Sequence, residues 1–350
     1  MTRVDTVEAG QGDVGHQDTG SGPWRAGIRR AIRAGSRPEP WKRGPVLAAL
    51  ALLLGLFMLL HARIPNRIGG LGSLVETFLP WFGLLVPVLL AGALWRRSAS
   101  ASVALLLPVV VWLNLFGGLL GFGGPLGGES HPDSDLTVAS HNVGAGNPDP
   151  AGTARDLADS GADVLALLEV TPQARDTYEK ELAAAYPYRA VRGTVGLWSK
   201  LPLSDTRPVD IGMDSTRALR TTVTTDHGPL AVYVAHLGSV RVFPKNGFWT
   251  GQRDAGAQLL GQAVAAERNE RTVLLGDLNG TMDDRAFTGI TSRMRSVQDE
   301  AGNGFGFSWP ARFPVARIDQ ILVRGVEPES SWVLSATGSD HLPVAAGISW

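Results

Sequence analysis

The sequence predicts an α/β protein in two parts: a two-sheet, four-layer α/β sandwich over residues 135–350, preceded by a three-helix transmembrane region over 44–123. Three features predict it. Three uncharged apolar runs fall within the first 122 residues, each close to the roughly 20 residues a helix needs to cross a hydrocarbon core. From about Asp135 the pattern changes to apolar strands alternating with helices. Polar residues recur at the ends of those strands, where a buried sheet delivers side chains to a common rim.

Residues 1–43 are rich in Gly, Arg, Ser and Pro without an apolar period, and read as a disordered cytoplasmic tail. The runs follow at 44–62, which contains VLAALALLLGLFMLL, at 77–95, with Pro80 and Pro87 inside it, and at 103–122, with Pro108 and Asn114. Proline is tolerated in such helices because neighbours satisfy the freed carbonyls. One run alone would also fit a buried soluble helix; three argue against that. Basic residues set the orientation. Arg25, Arg29, Arg30, Arg33, Arg37, Lys42 and Arg43 precede the first run, and Arg96 and Arg97 separate the second from the third. Arg63 and Arg67 form a weaker opposing signal, and after the third run no Lys or Arg occurs until Arg155. The expectation is a multi-pass protein of the cell membrane, with its N-terminus cytoplasmic and its C-terminal domain outside. A cleaved signal peptide fits poorly, because a long tail precedes the first run and two more runs follow it. Glu76, at the start of the second run, is expected at the interface.

A Gly-rich and polar linker spans 124–134. Strands are expected at Leu136–Ser140, Asp163–Val170, Arg217–Thr225, Pro229–Leu237, Thr272–Leu278, Ile318–Val323 and over the final PVAAGISW, with helices at 150–160, 172–185 and 250–269. No internal repeat is visible. The absence of cysteine excludes disulfides, thiolate metal sites and Cys nucleophiles. Net charge is −1, but residues 134–350 hold 20 Lys/Arg against 25 Asp/Glu, a balance of −5. That speaks against non-specific nucleic-acid binding, which depends on neutralising phosphates.

Asn142 follows LTVASH, Glu169 ends LALLE, and His236 ends LAVYVAH. Asp277 and Asn279 end TVLLGDLN, Asp319 opens IDQILV, and Asp340-His341 precedes the last strand. Each alone has a plain structural explanation, since Asp or Asn after a strand is usually a turn former. Together, and in this order, the segments SHNVGAGN (140–147), LALLEVT (165–171), GLWSKLPL (196–203), VYVAHLG (232–238), LLGDLNGTMDD (274–284), RIDQILV (317–323) and GSDHLPV (338–344) resemble the endonuclease/exonuclease/phosphatase superfamily. GDLN followed by RID and then SDH is the specific part of that pattern.

The resemblance implies a metal-dependent hydrolase of phosphoester or phosphoanhydride bonds. Such chemistry needs a hard cation, and Mg²⁺ prefers a few carboxylate or amide oxygens plus water. Asn142, Glu169 and Asp340 are the expected ligands of Mg²⁺, with Mn²⁺ as a substitute. By the resemblance, Asp277 orients and deprotonates the attacking water, and Asn279 holds that water or a phosphate oxygen. His341 donates to a phosphoryl oxygen, and Asp319 fixes its tautomer. His236 contacts the phosphate or protonates the leaving group; the sequence does not divide the roles of the two histidines.

The stretch GSVRVFPKNGFWTGQR (238–253) reads equally as a loop anchored by aromatics or as a rim for an amphiphilic substrate. Arg217 and Arg220 read equally as phosphate contacts or as an exposed strand face. The layout of three spans plus this domain resembles the VanJ-type membrane proteins linked to glycopeptide-antibiotic resistance, which implies activity on undecaprenyl pyrophosphate. The expected partners are therefore the bilayer and a phosphate-bearing, lipid-linked substrate. The alternatives are a surface nuclease and a non-enzymatic membrane scaffold that keeps the fold; a binding module has no need of Asp277, Asp319 and His341 together.

Overall fold

The computed structural model describes residues 39–120, 134–245 and 247–350. The tail expected over 1–38 and most of the expected linker lie outside the described residues.

The N-terminal region is helical: α1 (Pro45–Leu59), α2 (Leu71–Thr77), α3 (Leu85–Trp95), α4 (Ala99–Ala104) and α5 (Leu106–Phe116), with 3₁₀ turns at His61–Arg63, Leu79–Leu84 and Gly117–Leu120. The chain runs up, down and up again. Leu54, Met58, Val75, Leu79, Val111 and Phe116 share its core. Close approach of α1 to α5 requires Gly55, where a Cβ would meet the Leu107 side chain at 2.6 Å. The outer faces are as apolar as the inner ones, with Leu53, Leu84, Val88, Leu94, Leu106 and Val110 all exposed. Helices apolar all round are buried in a large protein or in a membrane.

By length and composition, one helix, Ala99–Leu120, suffices to cross a membrane. The pair Leu71–Thr77 and Leu79–Trp95 does so only together, and it is bent by 66°. Pro45–Leu59 has 15 residues, about 22 Å at 1.5 Å per residue, short of a core about 30 Å thick. Of the three spans expected from the sequence, one helix is long enough to cross, one is a bent pair that suffices only together, and one is too short by itself. The bend falls at Phe78, just ahead of Pro80, where a 3₁₀ turn replaces α-helix. Lys42, Arg43, Arg96 and Arg97 gather at one end of the bundle, where the Ser98 hydroxyl donates to the Arg43 carbonyl.

The remaining chain forms β1 (Leu136–Asn142), α6 (Pro150–Asp159), β2 (Val164–Leu168), α7 (Pro172–Leu182), β3 (Tyr188–Arg192), β4 (Val195–Ser199), β5 (Leu203–Pro208), β6 (Ala218–Thr225) and β7 (Gly228–His236). Then come β8 (Arg241–Phe243), β9 (Gly247–Trp249), α8 (Gly251–Ala265), β10 (Thr272–Asp277), α9 (Thr288–Thr291), β11 (Arg295–Ser296), α10 (Val297–Ala301), β12 (Asp319–Arg324), β13 (Glu327–Val333) and β14 (Val344–Ser349). Two six-stranded sheets, β13-β14-β1-β2-β4-β3 and β11-β12-β10-β7-β6-β5, pack face to face. Strand alternation assigns each side chain its layer. In β10, Val273 and Leu275 enter the core between the sheets, while Leu274 turns outward beneath α8. In β2, Leu165 and Leu167 turn outward beneath α6 and α7. The result is the four-layer sandwich the sequence predicts.

The helical region docks on the end of the sandwich that carries the candidate site. Phe248 N–H donates to the Gly69 carbonyl at 2.8 Å. Glu76, wholly buried, pairs with Arg285 at 2.6 Å. The Trp81 indole donates to the Val315 carbonyl at 2.8 Å, and Gly304 N–H donates to the Leu119 carbonyl at 2.7 Å. The loops involved follow β7, follow β10 and precede β12.

Candidate active site

β1 and β2 run parallel in one sheet, and β7 and β10 run parallel in the other. Their C-terminal ends therefore meet at one rim. Asn142 closes β1, Glu169 follows β2, His236 closes β7 and Asp277 closes β10, with His236 and Asp277 paired in register. β12 runs antiparallel to β10, so its first residue, Asp319, lies opposite Asp277. Glu169 and Asn279 take positive φ, 59° and 51°. A left-handed non-glycine residue is strained and recurs at functional sites.

The side chains interlock. Asn142 Nδ2 donates to Asp277 Oδ2 at 3.0 Å and to Glu169 Oε1 at 3.2 Å, while its Oδ1 accepts from Gly144 N–H at 3.0 Å. Glu169 Oε2 accepts from Ala145 N–H at 2.8 Å. Asp277 Oδ1 accepts from Asn279 N–H at 2.9 Å, and the Asn279 amide donates to the Leu237 carbonyl at 3.1 Å. His341 Nδ1 donates to Asp319 Oδ2 at 2.9 Å. His236 Nε2 and His341 Nε2 approach Asp277 Oδ2 from two sides, at 3.6 and 3.8 Å. Asp340 stands apart: it is exposed, and its backbone oxygen accepts from Ala311 N–H at 2.7 Å.

Electrostatics separates the ionisable groups. Burial, and then the Asp319 charge, push Asp277 up to about 7. Burial alone would lower His341, but the carboxylates of Asp319, Asp277 and Asp340 outweigh it and hold the imidazolium up to about 9. His236 goes the other way: burial, then the Arg217 and His341 charges, keep it well below its ordinary value and so neutral. Arg217 Nη2 lies 2.6 Å from His236 Nδ1 and donates to the ring. Two histidines at one rim therefore carry different charge.

The donor chemistry fits a hard cation. Glu169, Asp277 and Asp319 converge on the rim with Asp340 at its border, and one buried oxygen, Asp319 Oδ1, has no hydrogen-bond partner. Asp277, Asp319 and His341 also offer ligand atoms within 4.8 Å of one another, a grouping different from the Asn142, Glu169 and Asp340 set expected from the sequence.

Of the sequence candidates, Asn142, Glu169, His236, Asp277, Asn279, Asp319 and His341 come together, and Asp340 borders them. Arg217 belongs to the rim. Arg220 does not, and the exposed strand face also fails for it: it is buried and bonded to Glu267 at 2.9 Å and Asp205 at 2.7 Å. Two supporting residues were missed. Ser308 Oγ donates to Asp319 Oδ2 at 2.6 Å, and its only signal was a Gly/Phe-rich run ahead of RID. Arg253, fully buried on α8, pairs with Asp284 at 2.7 Å and donates to the Asn279 carbonyl at 3.4 Å and to Ser73 Oγ of the helical region at 3.2 Å. A charged residue on the inward face of a helix otherwise lined by Gly256, Ala257 and Leu260 was the available sign.

The model of the Endonuclease/Exonuclease/phosphatase family matches residues 139–341. No curated protein matches. Among solved structures, a functionally unknown conserved protein from Enterococcus faecalis V583 superposes with a TM-score of 0.52 at 17% identity, covering 61% of this chain and 99% of that one. The D. rerio TDP2 complexed with single-strand DNA product gives 0.52 at 19% identity, over 61% and 99%. A mannosyl-6-phosphatase from Bacteroides thetaiotaomicron gives 0.50 at 16%, over 62% and 100%. At such identities these likenesses speak to the fold of the C-terminal domain.

Proposed function

The chain belongs to the endonuclease/exonuclease/phosphatase family of phosphoester hydrolases, and from that premise we propose that it is a membrane-anchored, metal-dependent phosphoesterase acting on a phosphate ester or pyrophosphate carried by a lipid. One observation supports this above all. The loops beside Asp277, His236 and Asp319 are the loops that hold the helical region, so the rim and the apolar bundle share one end of the sandwich. The three apolar runs (44–62, 77–95 and 103–122) then act together as the anchor, and their described residues pack around a shared core. The short first helix is completed by its 3₁₀ turn, and Trp41 and Trp95 mark the basic end at a membrane interface. Basic residues at that end place it in the cytoplasm and the domain of 135–350 outside. Undecaprenyl pyrophosphate is the substrate we favour.

Asn142, Glu169 and Asp340 would hold Mg²⁺ or Mn²⁺, which neutralises phosphoryl and leaving oxygens when bound. The chain's own groups do the rest. Asp277, with a pKa near neutrality, takes the proton of the attacking water. His341 stays protonated and donates from Nε2 to a phosphoryl oxygen as charge grows there, its ring fixed by Asp319. Neutral His236, backed by Arg217, contacts the phosphate. Asn279 orients the water.

The test is phosphate release by the full chain in detergent, with Mg²⁺ or with EDTA, from polyprenyl pyrophosphate, phospholipid, nucleotide and DNA. Release from the lipid pyrophosphate, lost in EDTA and restored by Mg²⁺, is expected. Full activity in EDTA would remove the metal from the mechanism, and cleavage of DNA alone would replace the lipid reading by a nuclease.

A further inference from the structure

A cavity of about 420 Å³ lies between the helical region and the catalytic domain. Trp81, Gly83, Val109 and Trp112 wall it on the helical side, and Phe305 and Phe307 on the domain side. Its lining is apolar although it contains two tryptophans. The Trp81 indole N–H is taken by the Val315 carbonyl at 2.8 Å and that of Trp112 by the Pro80 carbonyl at 2.9 Å, so the indoles have no donor left for a ligand. Trp112 lies against Gly83, where a Cβ would meet the indole nitrogen at 2.3 Å. Trp81, Phe307 and Phe305 form one stack, with centroids 5.5 and 5.1 Å apart. The mouth is bordered by Leu84 and Leu113, both exposed on the outer face of the bundle. At the inner end, Phe307 is followed directly by Ser308, whose hydroxyl holds Asp319 of the His341 pair.

We propose that this cavity is the subsite for the hydrocarbon chain of the lipid whose phosphoester the chain hydrolyses, an inference that rests on the lipid-substrate reading above. Its volume is that of a small-molecule site. It is continuous with the apolar outer face of the bundle, the route by which a chain already in a bilayer enters. Lipid that merely surrounds the helices needs no wall from the domain. Here Phe305 and Phe307, on the loop that carries Ser308, close the wall on the domain side, so a chain seated against them has its head group on the side of His341. The subsite gives binding energy from a part of the substrate remote from the reacting bond.

The test uses the full chain in detergent and two substrates with the same reacting group: a long polyprenyl pyrophosphate, and isopentenyl pyrophosphate with its minimal chain. Leu113→Trp and Val109→Phe fill the cavity from the helical side, away from the rim. Each is expected to raise KM for the long substrate about tenfold or more while leaving isopentenyl pyrophosphate kinetics unchanged. A photoreactive residue at 113 is expected to crosslink to lipid, and excess polyprenyl pyrophosphate, unlike isopentenyl pyrophosphate, is expected to displace it. Unchanged kinetics on the long substrate in both variants, equal losses on both substrates, or a crosslink to bulk phospholipid that substrate never displaces would overturn the subsite. A wild-type chain that cleaves soluble phosphoesters but no lipid phosphoester would instead sink the lipid reading, and the subsite with it.

Discussion

The helical region and the catalytic domain are built from similar apolar residues and use them in opposite ways. In the domain, Val164, Leu165, Ala166, Leu167 and Leu168 are each fully buried, because a strand inside a four-layer sandwich is covered on both faces. In the helical region, Leu53, Leu84, Val88 and Leu94 are each 60% exposed or more, because a single layer of helices covers only its inner stripe. Apolarity does not distinguish the two; the number of layers does. A bundle left apolar outside is the feature on which the proposed membrane anchor rests. The buried polar residues show the converse. In the domain many collect at the rim. In the helical region Ser73 and Glu76 sit at the seam, facing Arg253 and Arg285.

The sharpest way to break this arrangement is to cut the seam. Arg285→Met leaves Glu76, buried across the seam, without its partner, which should cost about 3–5 kcal/mol. A thermal midpoint in detergent unchanged from wild type would show that the two regions do not support each other. Next come the rim substitutions, which should spare the bundle. Asp277→Asn and His341→Ala should each reduce turnover by about a hundredfold or more, with membrane extraction and circular dichroism unchanged. Folded proteins that keep near-normal turnover would move the chemistry elsewhere. Ser308→Ala removes a hydrogen bond to a charged pair, an effect of about 1.5–3 kcal/mol. It should slow turnover by roughly tenfold or more, and Ser308→Thr should recover most of it; loss of stability without loss of rate would assign Ser308 to packing instead.

The smallest effect is a control inside the domain. Burial alone would raise the Glu267 pKa, but hydrogen bonds from Arg220, the Asn269 amide and Tyr233 hold it down at about 2. A carboxylate with a depressed folded pKa stabilises the fold above its ordinary value near 4.5, and that contribution fades as pH falls from there towards 2. Glu267→Gln should flatten this part of the acid-unfolding curve and leave turnover unchanged. An unaltered curve would mean that the pair contributes nothing to acid stability.

The ends of β2 and β10 were legible in the sequence because each carries an uninterrupted apolar run that stops at a polar residue: VLALL before Glu169, and VLLG before Asp277. What joins distant segments was not. Ser308 and Asp319 are 11 positions apart, and Arg253 and Ser73 are 180 apart; neither pairing leaves a local period or turn signal. The β8–β9 hairpin was invisible because three-residue strands leave too little alternation to read. The bend at the head of the second apolar run falls beside Pro80. The pairing of Glu76 with Arg285 close to that bend leaves no mark in the hydropathy.

The seam also fixes a length. Among the described residues the domain is joined to the bundle at four points at once, Gly69, Glu76, Trp81 and Leu119. If the bundle sits in a bilayer as proposed, the rim stands at one height above it, and the protein becomes a gauge. Only phosphates that protrude to that height are presented for cleavage, while shorter or deeper head groups pass beneath it untouched. Lengthening or thinning the bilayer would then retune what the enzyme accepts without changing any residue at the rim.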